Sequence, residues 1–271
     1  MKSTQAHERR FSSLLREANG QTNRHEPSHD RNQRLLKNST VGLDIIIPAR
    51  NEELRLGTTL EILFRSATAL RVECNIIVVD DASTDKTAEV ASCYGTVLMR
   101  NSKRLGICGA FKRGIEKCRN EHVMLCPADV RDFAFLQDAI SLLGEYDIIS
   151  PSKRHPMSYV TGFSSKRWLL SNAYHRAISL LFNVKTSDTH YAKIFRRDML
   201  RRVLPYCQLN GAMGETELIV QMIRFHAKII DIPVCIVHDE RSSKMDLQTV
   251  LEAAMDIPRL WLRIAIDNIR E

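Results

Sequence analysis

The chain has 271 residues, 44% of them hydrophobic, and carries a formal net charge of +7. That suits one large α/β domain or one domain with extensions. No apolar run approaches the roughly 18 residues of a spanning helix and no signal-peptide core opens the chain, so it is not expected to cross a membrane. Seven cysteines, an odd number without a C-x-x-C pair, argue for reduced thiols in a cytosolic compartment.

Residues 1–40 hold eight lysines and arginines against four acids and few aromatics. They read as a basic, disordered arm with a transient helix near Arg9–Ala18. Such an arm can touch anionic headgroups at about 1 kcal/mol per basic residue. Without aromatic stacking platforms it is not expected to bind nucleic acid. From Val41 the pattern is regular. Leu43–Pro48 is a buried strand, and Glu53–Leu70 has helical spacing at Leu56, Leu60, Leu63 and Phe64. Ile76–Val79 is a strand, and Thr84 and Asp85 can cap a helix running to about Tyr94. Thr96–Met99 (strand), Gly109–Cys118 (helix), His122–Cys126 (strand), Phe133–Leu143 (helix) and Asp147–Ile149 (strand) follow. This alternation predicts an α/β fold, a mostly parallel central sheet with helices on both faces.

After Ser150 the character changes. Pro151–Lys166 is polar, basic and loop-like, and Lys166–Asn183 is helical. Lys193–Phe195 is a short strand before a helix at Arg197–Leu204. Glu215–Phe225 is a helix, and Ala227–Val237 reads as a strand pair broken at Pro233. Leu247–Ile269 is amphipathic and helical, divided into two segments by Pro258. The domain reading is a basic arm at 1–40, an α/β domain at 41–246 and a helical extension at 247–271.

Three strands end in polar or charged residues at one expected sheet edge: Pro48-Ala49-Arg50-Asn51-Glu52, Val79-Asp80-Asp81-Ala82-Ser83-Thr84-Asp85, and Cys126-Pro127-Ala128-Asp129. Ligands of parallel sheets bind at the carboxyl ends of the strands, where carboxylates can accept from base N–H groups and ribose hydroxyls. These segments, with Arg104-Leu105-Gly106, resemble family 2 glycosyltransferases of GT-A fold, and within them the polyprenyl (dolichyl) phosphate mannose and glucose synthases. The resemblance covers roughly Val41 to Lys244. It implies that Pro48, Arg50, Glu52, Asp80, Asp81 and Arg104 line a nucleotide-sugar pocket. Arg50 stands where the family usually has an aromatic residue; a guanidinium can also stack on a base.

The resemblance also implies Mg²⁺ or Mn²⁺ on an Asp-x-Asp pair, because hard cations take carboxylate oxygens. Here Pro127 replaces the first aspartate and Asp129 remains, with Asp132 three residues on. Three outcomes are compatible: Asp129 holds the metal with nucleotide oxygens, basic residues replace part of its charge, or catalysis is lost and the protein only binds a nucleotide sugar. For the acceptor, Ser152-Lys153-Arg154 and Gly162-Phe163-Ser164-Ser165-Lys166-Arg167 resemble segments that meet a lipid phosphate, which nominates Arg154 and Arg167. Ser187-Asp188-Thr189-His190 and Lys193-Ile194-Phe195 resemble a further family segment, with Tyr191-Ala192 in place of its glycine and phenylalanine. Gly214-Glu215-Thr216-Glu217 resembles a helix-opening acidic segment. Glu215 or Glu217 can act as general base when the acceptor is an alcohol, or can simply sit at a helix N-terminus. Arg241-Ser242-Ser243-Lys244 resembles a segment closing over the diphosphate, which nominates Arg241 and Lys244. The expectation is an inverting transferase that moves a hexose from a GDP-mannose- or UDP-glucose-type donor to a polyprenyl phosphate. It would be cytoplasmic and peripheral on the membrane, docked through the arm, the 151–167 loop and the C-terminal helix or by a membrane-protein anchor. The alternative is a cytosolic transferase acting on a soluble hydroxyl.

Overall fold

The computed structural model describes residues 41–184, 186, 188, 190–209, 213–237 and 247–270, with backbone alone at 166–167, 247–254 and 267–270. The expected arm at 1–40 therefore lies outside the described residues.

Strand-length apolar runs build a seven-stranded sheet in the order β3-β2-β1-β4-β7-β5-β8. Its strands are β1 (Val41–Ala49), β2 (Val72–Asp80), β3 (Val97–Arg100), β4 (His122–Leu125), β5 (Ile148–Ser152), β7 (Lys193–Arg196) and β8 (Ile229–Pro233). β7 alone among them runs antiparallel, between β4 and β5. β6 (Tyr159–Thr161) and β9 (Cys235–Val237) pair in parallel as a separate small sheet. A short strand thus interrupts the expected 151–166 loop, and the two strands flanking Val234 belong to different sheets.

Side chains alternate across the strands and feed two cores. Ile45, Ile47, Ile76 and Val78 meet one face, where α1 (Leu56–Ala69), α2 (Thr87–Cys93) and α4 (Phe135–Leu142) pack. Ile46, Ile77 and Val79 meet the other. That second face is covered by α3 (Gly106–Ile115), α5 (Ser165–Phe182), α6 (Arg197–Val203), α7 (Met213–Arg224) and α8 (Leu247–Arg270). Helix α3 begins three residues before the expected Gly109. Pro258 does not divide the C-terminal segment: α8 is one helix with Pro258 inside it. Pro258 is exposed, so the carbonyl that its missing N–H leaves unpaired can reach water.

Candidate active site

Parallel pairing brings the ends of β1, β2 and β4 to one edge. Ala49 sits beside Asp80, and Asp80 beside Arg100. The ladder runs on past the strands: Asp81 N–H donates to Ala49 O at 2.8 Å, and Asn101 N–H to Asp80 O at 2.8 Å. The loops after β1 and β2 interlock. Asn51 N–H donates to Ser83 Oγ (3.0 Å) and Glu52 N–H to Thr87 Oγ1 (2.8 Å), while Thr84 N–H donates to Asn51 Oδ1 (2.9 Å) and Lys86 N–H to Glu53 Oε2 (3.0 Å). Asn51 and Ala82 are left-handed, at φ 54° and 58°. For Ala82, which has no polar side chain to compensate, this costs about 1–2 kcal/mol. Backbone strain of that kind collects where a loop must present groups to a ligand.

The adjacent aspartates do different work. Asp80 is fully buried, pairs with Arg100 Nε at 2.9 Å and accepts from Ser83 N–H at 2.9 Å. It shapes the turn and does not line the cleft. Asp81 accepts Asn101 Nδ2 and Leu105 N–H on Oδ1, both at 2.7 Å, and Gly106 N–H on Oδ2 at 2.8 Å. It thereby satisfies donors at the N-terminus of α3 and keeps acceptor capacity on Oδ2. Gly106 makes this contact at φ 80°, a conformation that favours glycine. Asn101 escaped sequence reasoning; the one signal available was its place just after β3 at the shared edge.

A cleft of about 350 Å³ opens here, lined by Pro48, Arg50, Glu52, Asp81, Arg104, Asp129 and Glu215, with Ala49, Ile107, Leu125, Pro127 and Ala128 as its apolar wall. Seven of the sequence-nominated residues thus meet in one space. Arg50 reaches back to Asp81 O at 3.4 Å. Burial, and the nearby charge of Asp129, push the Glu52 carboxyl above its ordinary range despite its pairing with Arg55 at 3.3 Å.

Glu215 enters the cleft from the first turn of α7. That turn can approach because Gly214 lies against α3: a Cβ there would stand 2.5 Å from Cys108 Cβ and 2.6 Å from Leu209 O. Burial pushes the Glu215 carboxyl up to about 7, against the pull of Lys193. Lys193 is itself buried, which lowers its ammonium, and donates to Tyr191 O at 3.0 Å. Burial alone would raise Asp188, but Lys153, 3.1 Å away, and Lys193 outweigh it and hold that carboxyl at about 2. A Lys153–Asp188–Lys193–Glu215 group, buried apart from the half-buried Lys153, therefore flanks the cleft.

Glu217 and Arg154 do not line the cleft. Glu217, fully buried, accepts Gln208 N–H (2.9 Å) and Leu209 N–H (2.6 Å) and is bound by Arg263 of α8. It ties α7 to α8 rather than facing the cleft. Arg154 donates to Ser171 O (2.7 Å), Ser171 Oγ (2.6 Å) and Asn172 Oδ1 (3.1 Å), and lies 5.6 Å from the Trp168 ring centroid. It clamps the end of β5 to α5. Arg241 and Lys244 lie outside the described residues, as does the side chain of Arg167.

The donor set tests the implied divalent cation. Asp129 is exposed in the cleft and makes no hydrogen bond or ion pair with the described residues. Asp132 instead accepts Ala134 N–H at 2.8 Å, and no group of three metal-ligating side chains occurs among the described residues. One protein carboxylate fits a cation that takes most of its oxygens from a diphosphate and water, as Mg²⁺ commonly does.

The carboxylate-lined cleft lies at the carboxyl edge of a mostly parallel, doubly covered sheet, and the fold is the GT-A fold of the solved structures it matches. The family model described as glycosyl transferase family 2 matches residues 44–204. The chain belongs to this family and is a glycosyltransferase. It is 26% identical over 244 residues to the dolichyl-phosphate beta-glucosyltransferase of Dictyostelium discoideum, covering 82% of this chain and 75% of that protein. It is 28% identical over 171 residues to the 4,4'-diaponeurosporenoate glycosyltransferase of Staphylococcus aureus, covering 58% of this chain and 40% of that one. Its fold matches glucosyl-3-phosphoglycerate synthase from Mycobacterium tuberculosis, solved with phosphoglyceric acid, at TM-score 0.65 and 15% identity over 88% of this chain and 85% of that one. Mannosyl-3-phosphoglycerate synthase from Rubrobacter xylanophilus matches at TM-score 0.61 and 17% identity, over 93% and 81%.

Proposed function

We propose that the protein transfers a hexose, with inversion, from a nucleoside-diphosphate sugar of the GDP-mannose or UDP-glucose type to a polyprenyl phosphate, at the cytoplasmic face of a membrane. The observation that carries the reading is the cleft, which collects Pro48, Arg50, Glu52, Asp81, Arg104, Asp129 and Glu215 from separate segments. The Dictyostelium relative supports the lipid acceptor.

In this reading Oδ2 of Asp81 accepts from the base or ribose, and Arg50 lies over the base. Arg104 faces the diphosphate, with Arg241 and Lys244 as further phosphate contacts. Asp129 would hold a divalent cation, which would supply charge neutralisation for the leaving diphosphate. An oxygen of the acceptor phosphate attacks the anomeric carbon as the bond to the donor diphosphate breaks, and the electron pair leaves with the diphosphate. The nucleophile is already anionic, so the chain's task is positioning and charge stabilisation, and no proton moves. Arg167 serves the acceptor phosphate, and Arg154 holds the α5 segment that carries it.

A second reading has its own observation. Glu215 lines the cleft with its carboxyl near 7, the range of an effective general base. That suits a soluble hydroxyl acceptor whose proton Glu215 would take. The test begins with calorimetric titration of GDP, UDP, GDP-mannose and UDP-glucose, with and without Mn²⁺, and then offers the preferred donor with a polyprenyl phosphate or an alcohol. Transfer to the phosphate that survives Glu215→Gln supports the first reading. Transfer only to alcohols, abolished by that change, replaces it with the second. Binding of none of the four nucleotides removes both.

A further inference from the structure

Two helices on the α7 side of the sheet turn apolar side chains the wrong way for a protein in water. α5 packs inward through Tyr174, Ile178 and Phe182. Its outward positions are Leu169, Ala173, Arg176 and Leu180, at helical spacing, with Leu169 69% and Leu180 85% exposed. α8 repeats the arrangement. Ile257, Leu260 and Ile264 pack inward, while Met255, Leu262 and Ile266 face out beside Trp261. A solvent-facing helix normally places charges on this side, and one that is apolar on both sides expects a second apolar neighbour. The two helices touch each other.

We propose that these faces form one platform that docks on an anionic lipid surface, with the helices lying in the headgroup region. Charge selects this occupant, and α5 carries it: α5 contains no acidic residue and has the exposed Arg176, whereas on α8 Arg259 is already paired with Asp256 at 3.2 Å. A second copy would bring the basic, acid-free α5 against itself, whereas anionic headgroups complement it. Trp261 has the amphipathic ring that settles at a membrane–water boundary. No helix among the described residues is long and apolar enough to cross a membrane, so the contact is interfacial. The purpose of docking rests on the lipid-acceptor reading above; the observations for it do not.

The test is sedimentation of the full chain with phosphatidylcholine vesicles, with and without phosphatidylglycerol, and without any prenyl lipid. Binding is expected only with phosphatidylglycerol. Leu180→Ser combined with Leu262→Ser should lower the partition coefficient at least about tenfold, while nucleotide affinity and the melting temperature hold. Three results overturn the platform: no binding of the wild type to anionic vesicles; binding that the double substitution leaves unchanged, which would assign it to the basic arm or another surface; or a wild-type dimer that the substitution dissolves. Transfer to a short, soluble prenyl phosphate is measured in parallel. Transfer without docking overturns the platform alone, and docking without transfer overturns the acceptor reading alone.

Discussion

The two sides of the cleft are built differently. The β1–β2–β4 side is assembled from short segments that directly follow parallel strands, and its loops are bound backbone to side chain by near neighbours in space and pattern. The β7–α7 side depends on buried and half-buried charges brought from remote parts of the chain: Lys153, Asp188, Lys193 and Glu215 around the cleft, and Arg263 reaching Glu217 from α8. The first kind of site tolerates change wherever a side chain faces water. The second couples almost every charge to stability, because a buried charge that loses its partner is expensive.

Breaking Asp81 should have the largest effect, since it serves both roles on its side. Asp81→Ala strands the donors of Asn101, Leu105 and Gly106, at about 1–3 kcal/mol each for groups left unsatisfied. We expect a fall in stability of roughly 3–5 kcal/mol by urea titration and nucleotide affinity reduced beyond calorimetric detection. Unchanged affinity would remove the donor assignment. Asp129→Asn separates function from fold. It should leave the melting temperature alone and cut metal-dependent turnover by about 10²–10³-fold. Arg263→Met tests the other side, where structure and charge are joined. It leaves Glu217 without its cation and should cost about 2–3 kcal/mol by urea titration, with nucleotide affinity unaltered.

Glu215 gives the finest discrimination. Its folded carboxyl lies at about 7 against an ordinary 4.5. The stability it contributes is therefore complete below about pH 4.5 and is lost as pH rises through 7, on the order of 3 kcal/mol. Glu215→Gln should accordingly gain melting temperature relative to the wild type between pH 5 and pH 8. Transfer to a phosphate acceptor should change less than about fivefold in this variant. Transfer to an alcohol would instead fall in the wild type as pH drops below 7, where the base is protonated.

The contrast also separates what could be read in advance from what could not. Alternation in Ile45-Ile46-Ile47 and Ile76-Ile77-Val78-Val79 specifies two buried faces, and polar residues directly after such strands must share an edge once the strands pair in parallel. Arg50, Glu52, Asp81 and Asp129 were legible at the shared edge for that reason, whereas Pro48 and Arg104 were nominated by the family resemblance; all six line the cleft. Asp80 and Asp81 looked alike in sequence, yet Arg100 claims one of them across the β2–β3 ladder while α3 rests on the other. Glu215 and Glu217 looked interchangeable at the start of one helix, and only the arrival of α8 assigned Glu217 to Arg263 and left Glu215 in the cleft. Arg154 read as an anion ligand, and only the tertiary structure showed its guanidinium meeting Ser171 and Asn172 of α5. Pro258 read as a break and became an exposed position in one continuous helix. The sequence by itself determined the strand periodicity and the chemistry offered at each strand end, because both are local. Which charge meets which partner was decided by the tertiary structure alone, because buried ion pairing depends on distances between segments that no local pattern encodes.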